Sequence, residues 1–213
     1  MQIEVLEDRF LLNIKEYMQL KEKSSILFLL GRQIFRLIFS LFYRWRIEGL
    51  ENVPYFGGAI IVSNHISFFD PPLVGSAIKR PLYFMAKKEL FDIPILKWIV
   101  EQTHAFPIKR DGQDTAAIRN AFSLLKSGHL LLIFPEGTRS KNRRIGKARA
   151  GAGMLACNAQ LPLIPVKLKN TDVMFKFKRI EIKFGKPIYP PKNFVKDDYI
   201  NLSKKVLNLI IKM

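Results

Sequence analysis

The 213-residue sequence predicts a single α/β domain built on a central mixed sheet flanked by helices. Three observations carry that expectation. Short apolar runs of strand length alternate along the chain with helical patterns. Hydrophobic residues make up 48% of the chain, enough at this length to bury one sizeable core. No Pro/Gly/Ser-rich linker, internal repeat or low-complexity tract divides it.

Residues 3–21 read as an amphipathic helix, with Phe10, Ile14, Tyr17 and Met18 at helical spacing. A far more apolar helix follows over residues 24–45, carrying Ile34, Phe35, Leu37, Ile38, Phe39, Leu41 and Phe42. Arg32, Arg36, Ser40 and Arg44 lie four apart and form one polar stripe along it. A membrane span needs ~18–20 largely uncharged residues, and Arg32 and Arg36 interrupt the run. Each would cost ~2.5–3.5 kcal/mol at the bilayer centre. The expected placement is therefore in the plane of one leaflet, with apolar side chains toward the acyl chains and arginines toward the phosphates. A helix buried against the following domain is the alternative. No small-residue cleavage site follows, so a signal peptide fits poorly. Residues 1–45 are thus expected to form an amphipathic two-helix membrane anchor, and residues 46–213 the α/β domain.

Within that domain the expected strands are 59–63, 81–86, 104–108, 130–134, 163–168 and 180–184. Helices are expected after Pro71, near Pro94, at Gln113, near Gly146 and near Asp197. The helix from Gln113 has a clear apolar face of Ala117, Ile118, Ala121, Phe122 and Leu125, and Gly128 suits its C-terminal end.

The net charge is +17, from 35 Lys+Arg against 18 Asp+Glu. Such a balance favours anionic partners: nucleic acid, acidic lipid headgroups or acidic proteins. No zinc-finger spacing or RNA-binding aromatic motif is present, and aromatics cluster on the apolar N-terminal helix, so nucleic acid is not expected as a partner. Cys157 is the only cysteine, which excludes a disulfide within the chain and a cysteine-ligated zinc site and suits the reducing cytosol. His65, His104 and His129 show no metal-ligand spacing.

The chemistry is concentrated in two loops. Asn64-His65-Ile66-Ser67-Phe68-Phe69-Asp70 follows the apolar run 59–62 and precedes Pro71-Pro72. A buried strand thus opens into a polar loop that leads to a helix, the usual place for a site in an α/β protein. On a regular helix, residues five apart stand about 140° out of line, so His65 and Asp70 meet only if the backbone turns between them. If they meet, the carboxylate fixes the imidazole tautomer and His65 becomes a general base acting on an acceptor hydroxyl. A plainer arrangement uses the same residues, with Asp70 as an N-cap and His65 as a hydrogen-bonded core histidine.

Phe134-Pro135-Glu136-Gly137-Thr138-Arg139-Ser140 repeats the pattern after Leu130-Leu131-Leu132-Ile133. Gly137 permits close backbone approach, Thr138 and Ser140 supply hydroxyls, and the Arg139 fork suits a phosphate. An ordinary charged turn is the alternative. Arg110, in Phe106-Pro107-Ile108-Lys109-Arg110-Asp111-Gly112, offers a second phosphate contact or simply a charged turn. Leu161-Pro162-Leu163-Ile164-Pro165-Val166 reads as a buried strand with prolines at its margins. The cations Arg139, Lys141, Arg143, Arg144, Lys147 and Arg149 form a run without an acid, expected either to meet an anionic partner or to be a solvated loop.

In combination, Asn-His-x-Ser-x-x-Asp, hydrophobic-Lys-Arg, Phe-Pro-Glu-Gly-Thr-Arg-Ser and Ile-Pro-Val, in this order over roughly residues 48–187, resemble the glycerolipid acyltransferases. They resemble in particular the 1-acylglycerol-3-phosphate acyltransferases. The resemblance implies a largely parallel sheet of the glycerol-3-phosphate acyltransferase type and makes His65 the base, oriented by Asp70. Lys87, with a nearby backbone amide, becomes a candidate for the oxyanion. It puts the acceptor phosphate against Gly137, Thr138 and Arg139 with support from Arg110, and leaves Glu136 to organise the loop or to contact the glycerol. The implied reaction moves an acyl group from acyl-CoA or acyl carrier protein to the sn-2 hydroxyl of lysophosphatidic acid, with no metal or tightly bound cofactor. Glycerol 3-phosphate or another lysolipid is the alternative acceptor, and a non-catalytic lipid-binding protein the alternative of another kind. The N-terminal helices resemble the two-helix membrane anchor of compact bacterial members. The implied partners include the lipids of one leaflet, on the cytoplasmic side of the cell membrane.

Overall fold

A computed structural model describes residues 26–109, 114–140 and 145–213. The expected helix over residues 3–21, the expected helix start at Gln113, Arg110, and the cations Lys141, Arg143 and Arg144 lie outside the described residues.

The elements run in the expected alternation. Helix α1 (Ile26–Tyr43) leads into strand β1 (Arg46–Glu48), then β2 (Ala59–Ser63) and α2 (Asp70–Ala77). Next come β3 (Leu82–Lys87), α3 (Pro94–Gln102), β4 (Ala105–Ile108), α4 (Thr115–Lys126) and β5 (Leu130–Ile133). Helix α5 (Gly151–Ala159), β6 (Leu163–Lys169), β7 (Glu181–Phe184) and α6 (Lys196–Lys212) complete the chain.

The seven strands form one sheet in the order β1-β7-β6-β2-β5-β3-β4. Only β6 and β7 pair antiparallel, so β7 and its parallel neighbour β1 run against the other five. The sheet is mixed and mostly parallel. Its central strands are apolar throughout because both faces are covered. Ala59 and Ile61 join one core with Leu73 and Val74 of α2 and Phe39 of α1. Ile60 and Val62 join the opposite core with Ala121 and Leu125 of α4, Leu155 of α5 and Val206 of α6.

Three features differ from the expectation. Strand β1 was not expected; it is three residues long, Arg-Ile-Glu, with only Ile47 turned to the core. Helix α5 begins at Gly151, not near Gly146: residues 145–149 run back along the loop, with the Gly146 N–H on the Glu136 carboxylate and the Arg149 N–H on the Pro135 carbonyl. Pro165 lies inside β6, not at its margin. Its carbonyl accepts from Gly185 N–H at 2.8 Å, just past the end of β7. Pro165 therefore faces β7 at the point where the β6–β7 ladder stops, and its missing N–H leaves the β2–β6 ladder on the other edge unbroken.

Helix α1 packs one face on the domain, as in the alternative placement, and leaves another face exposed. Phe35, Phe39 and Tyr43 pack on the core, while Leu30, Ile34, Leu37, Leu41 and Phe42 are each more than half exposed. The arginine stripe turns toward the domain: Arg32 donates to the Lys79 carbonyl (2.7 Å) and Arg36 to the Ser76 carbonyl (3.4 Å). Both close unpaired carbonyls around the end of α2. Among the described residues, no helix is long and apolar enough to cross a membrane.

At the N-terminal edge of the parallel strands, the Tyr83 ring lies 5.0 Å from that of His104 and 4.7 Å from that of His129. Burial pushes the His104 pKa below its ordinary 6.5. The unfolded chain then takes up this proton first as pH falls, so the contribution of a neutral His104 is complete above 6.5 and declines below it. We expect the midpoint of thermal unfolding to drop between pH 6.5 and 5 by less in His104→Asn than in the parent. Asparagine tolerates the left-handed backbone at this position (φ 59°). Parallel pH profiles for the two proteins would show that His104 is not the titrating group.

Candidate active site

Strand β2 feeds α2 on one face of the sheet, while its neighbour β5 leads through a long loop to α5 on the other. The two departing chains separate and open a crevice at the C-terminal ends of the strands, the position where α/β sheets bind ligands. Both chemistry-bearing loops meet there.

His65 and Asp70 do come together. The backbone turns after Asn64, and α2 starts at Asp70 itself, so the carboxylate points back over the loop. Asp70 Oδ2 lies 2.8 Å from His65 Nδ1 and also accepts the N–H groups of Ile66 (2.7 Å) and Ser67 (2.8 Å). Asp70 is fully buried and the His65 side chain is only 12% exposed. With Nδ1–H donating to the carboxylate, Nε2 is the nitrogen left with a lone pair. The imidazole stacks on Phe134, 3.9 Å between centroids and 16° between planes, which leaves the ring little freedom to rotate. The N-cap arrangement does not form: Phe69 occupies that position, and the Asp70 carboxylate accepts from residues that precede it.

Glu136 stitches the two loops together. One carboxylate oxygen accepts the His65 N–H (3.1 Å), the other that of Gly146 (2.6 Å). The Ser140 N–H donates to the His65 carbonyl (2.8 Å), so the backbone of His65 is held at both ends. Asn64, whose role the motif alone did not show, pairs by its side-chain amide with both backbone groups of Leu168 on β6. It extends the β2–β6 ladder by one step beyond the strand.

The other site candidates spread out. Arg139 is exposed, with its guanidinium 3.3 Å above the Phe68 ring. The Thr138 hydroxyl donates to the Arg139 carbonyl and is also exposed. Lys87 ends β3 on the same edge of the sheet, but its ammonium pairs with Glu89 (2.9 Å). A mostly apolar groove of about 290 Å³ opens beside His65. Leu132, Ile133 and Pro135 line it from β5 and the loop beyond, Ile118 from α4, and Met154 and Leu155 from α5. Gly137 borders it, and among the described residues its cations are Lys109 and Arg149; Lys87 and Arg139 do not line it. Among the described residues, no cluster of His, Cys, Asp and Glu is placed to hold a metal ion.

A base, a buried orienting carboxylate and an apolar groove with a cationic border suit proton removal from a hydroxyl beside a ligand with an alkyl chain and an anionic head. Comparison with known proteins agrees with that reading. A chloroplastic 1-acyl-sn-glycerol-3-phosphate acyltransferase of Arabidopsis thaliana is 36% identical over 61% of this chain and 37% of its own length. A chloroplastic relative of the same description from Brassica napus is 30% identical over 79% of this chain and 52% of its own. The chain thus spans about half the length of these relatives or less. A Bacillus subtilis protein of that description is 28% identical over 72% of this chain and 78% of its own. The crystal structure of a 1-acyl-sn-glycerophosphate acyltransferase from Thermotoga maritima shares the fold, with a TM-score of 0.70 over 87% of this chain and 80% of that one, at 24% identity. A family model described as Acyltransferase matches residues 44–169, more than half of the sequence, and the chain belongs to that acyltransferase family.

Proposed function

We propose that this protein transfers a fatty-acyl group from an acyl-CoA or acyl carrier protein thioester to the sn-2 hydroxyl of 1-acyl-glycerol 3-phosphate, giving phosphatidic acid for phospholipid synthesis. The observation that carries this reading is the His65–Asp70 pair at 2.8 Å, held beside an apolar groove. Nε2 of His65 takes the hydroxyl proton as the oxygen attacks the thioester carbon. The buried Asp70 carboxylate stabilises the imidazolium that forms. Collapse of the tetrahedral intermediate breaks the C–S bond, and the proton passes from His65 to the leaving thiolate. Lys87 or a backbone amide of the two loops is the proposed oxyanion donor, an effect typically worth about 10²–10³-fold. A substrate contact in the groove is assigned to Gly137; Thr138 and Arg139, which do not line it, and Arg110 are assigned supporting contacts outside it, while Glu136 keeps the loops in register. The test is thiol release from acyl-CoA by purified protein, with and without detergent-dispersed lysophosphatidic acid. Acceptor-dependent release with formation of phosphatidic acid is expected; release indifferent to the acceptor would refute the assignment.

The exposed apolar face of α1 supports docking to one leaflet, from the cytoplasmic side where acyl donors are made. Trp98 of α3, also more than half exposed, lines a second apolar groove with Leu30 and Ile34 of α1. Deleting α1 would strip Phe39 from the core, so the informative change is on its outer face. The double variant Leu37→Asn, Leu41→Asn is expected to release the protein from liposomes in flotation while its thermal midpoint changes little. It should slow transfer to membrane-borne acceptor more than to a short-chain soluble one. Undiminished flotation would place the membrane contact elsewhere.

A further inference from the structure

We infer that Arg149, assisted by Lys109, receives the phosphate of the acceptor and so sets a preference for anionic over neutral lysolipids. The inference rests on the proposed acyl transfer and adds a residue to its site. Arg139, the cation that the loop motif singled out, is engaged on the Phe68 ring and does not line the groove beside His65. Arg149 does. Its side chain lies across Gly137: a Cβ built there would stand 2.9 Å from Nε and 3.1 Å from Cδ and Cζ. Gly137 also has φ +73°, so both backbone and space require glycine at this point. The Arg149 N–H donates to the Pro135 carbonyl at 2.8 Å, which ties the arginine to the same loop by its backbone.

Arg149 is exposed, and its guanidinium stands at the border of the groove, where an anion can reach it from solvent. Among the described residues no carboxylate pairs with it. Lys109 is the weaker of the two, because the Asp114 carboxylate that accepts its backbone N–H also attracts its charge. A guanidinium fork beside the base orients a phosphomonoester while leaving the glycerol hydroxyl free to face His65. A neutral monoacylglycerol offers Arg149 nothing to hold.

The experiment compares lysophosphatidic acid with the monoacylglycerol of the same chain, for the parent, Arg149→Met and Arg139→Met. Arg149→Met should lower kcat/KM for lysophosphatidic acid by roughly 10- to 100-fold, the loss of a charge-assisted bidentate contact. It should lower monoacylglycerol turnover far less, and Arg149→Lys should recover part of the loss. Equal losses with both acceptors, or a larger effect in Arg139→Met, would overturn the assignment. A donor arm separates the other source of phosphate. If the loss vanishes when acyl-CoA is replaced by an acyl-N-acetylcysteamine thioester, Arg149 serves the donor and the inference fails. Binding is read independently of turnover, from the thermal shift given by short-chain lysophosphatidic acid against its monoacylglycerol. A larger shift with the phosphate ligand, lost in Arg149→Met, supports the site even if no acyl group is transferred, a result that would sink only the catalytic reading.

Discussion

His65→Ala is expected to lower acyl transfer by about 10²–10⁴-fold, the usual worth of a general base, while moving the thermal midpoint by no more than a few degrees. The mild structural effect follows from what holds the loop. The main-chain N–H and carbonyl of residue 65 keep their bonds to Glu136 and Ser140 whatever side chain stands there. Asp70 also keeps the amides of Ile66 and Ser67. Asp70→Asn should behave differently. One carboxylate oxygen there serves three donors; an amide can turn its oxygen to them, but it brings no charge and its NH2 then occupies the buried place of the other oxygen, where no partner is found among the described residues. The rate should fall strongly but less completely than in His65→Ala, and the thermal midpoint should drop further. Measuring turnover and unfolding on the same samples separates the two roles. Near-normal turnover in His65→Ala would show that the proposed chemistry is wrong.

Glu136→Ala is expected to lose both stability and rate. The residue is only 8% exposed, and its carboxylate serves two main-chain amides that belong to different segments. Leaving such a donor buried and unpaired costs about 1–3 kcal/mol, and each kcal/mol shifts the midpoint of a domain this size by roughly 2–4 °C. The rate should fall because one of the anchors that fix His65 against the second loop is gone. Glu136→Gln retains one acceptor oxygen and should fall between the parent and the alanine variant in both measurements. An alanine variant with full turnover and an unmoved midpoint would show that the two loops are held by other means.

Much of the fold was legible because the central strands are buried on both faces. Runs such as Ala59-Ile60-Ile61-Val62 and Leu130-Leu131-Leu132-Ile133 leave little choice of structure. Strand β1 was not legible, since three residues with one inward side chain carry no period. The His65–Asp70 pair could be named from the sequence because both members lie in one loop. Asn64 and Arg149 could not be read in this way. The partner of Asn64 is the backbone of Leu168 on another strand, and Arg149 reaches the groove only because its loop folds back over Gly137. The same limit explains the arginines of α1. Their spacing is plain in the sequence, but the carbonyls that attract them belong to α2 and the turn after it.

The reversed edge of the sheet has a consequence for the order of assembly during synthesis. Among the described residues strand β1 pairs with no strand but β7, and its first residue, Arg46, lies opposite Glu181, made roughly 135 residues later. At about 5–20 residues per second, a ribosome takes on the order of ten seconds to cover that distance. Throughout that interval Phe39 lacks the Ile180, Ile182 and Phe184 surroundings of its finished core. The contacts of α1 with α2 can form much earlier, but the side of the helix that meets β7 stays open until the end. The earliest strand of the sheet is therefore among the last to be paired, and the helix joined to it completes its packing only then.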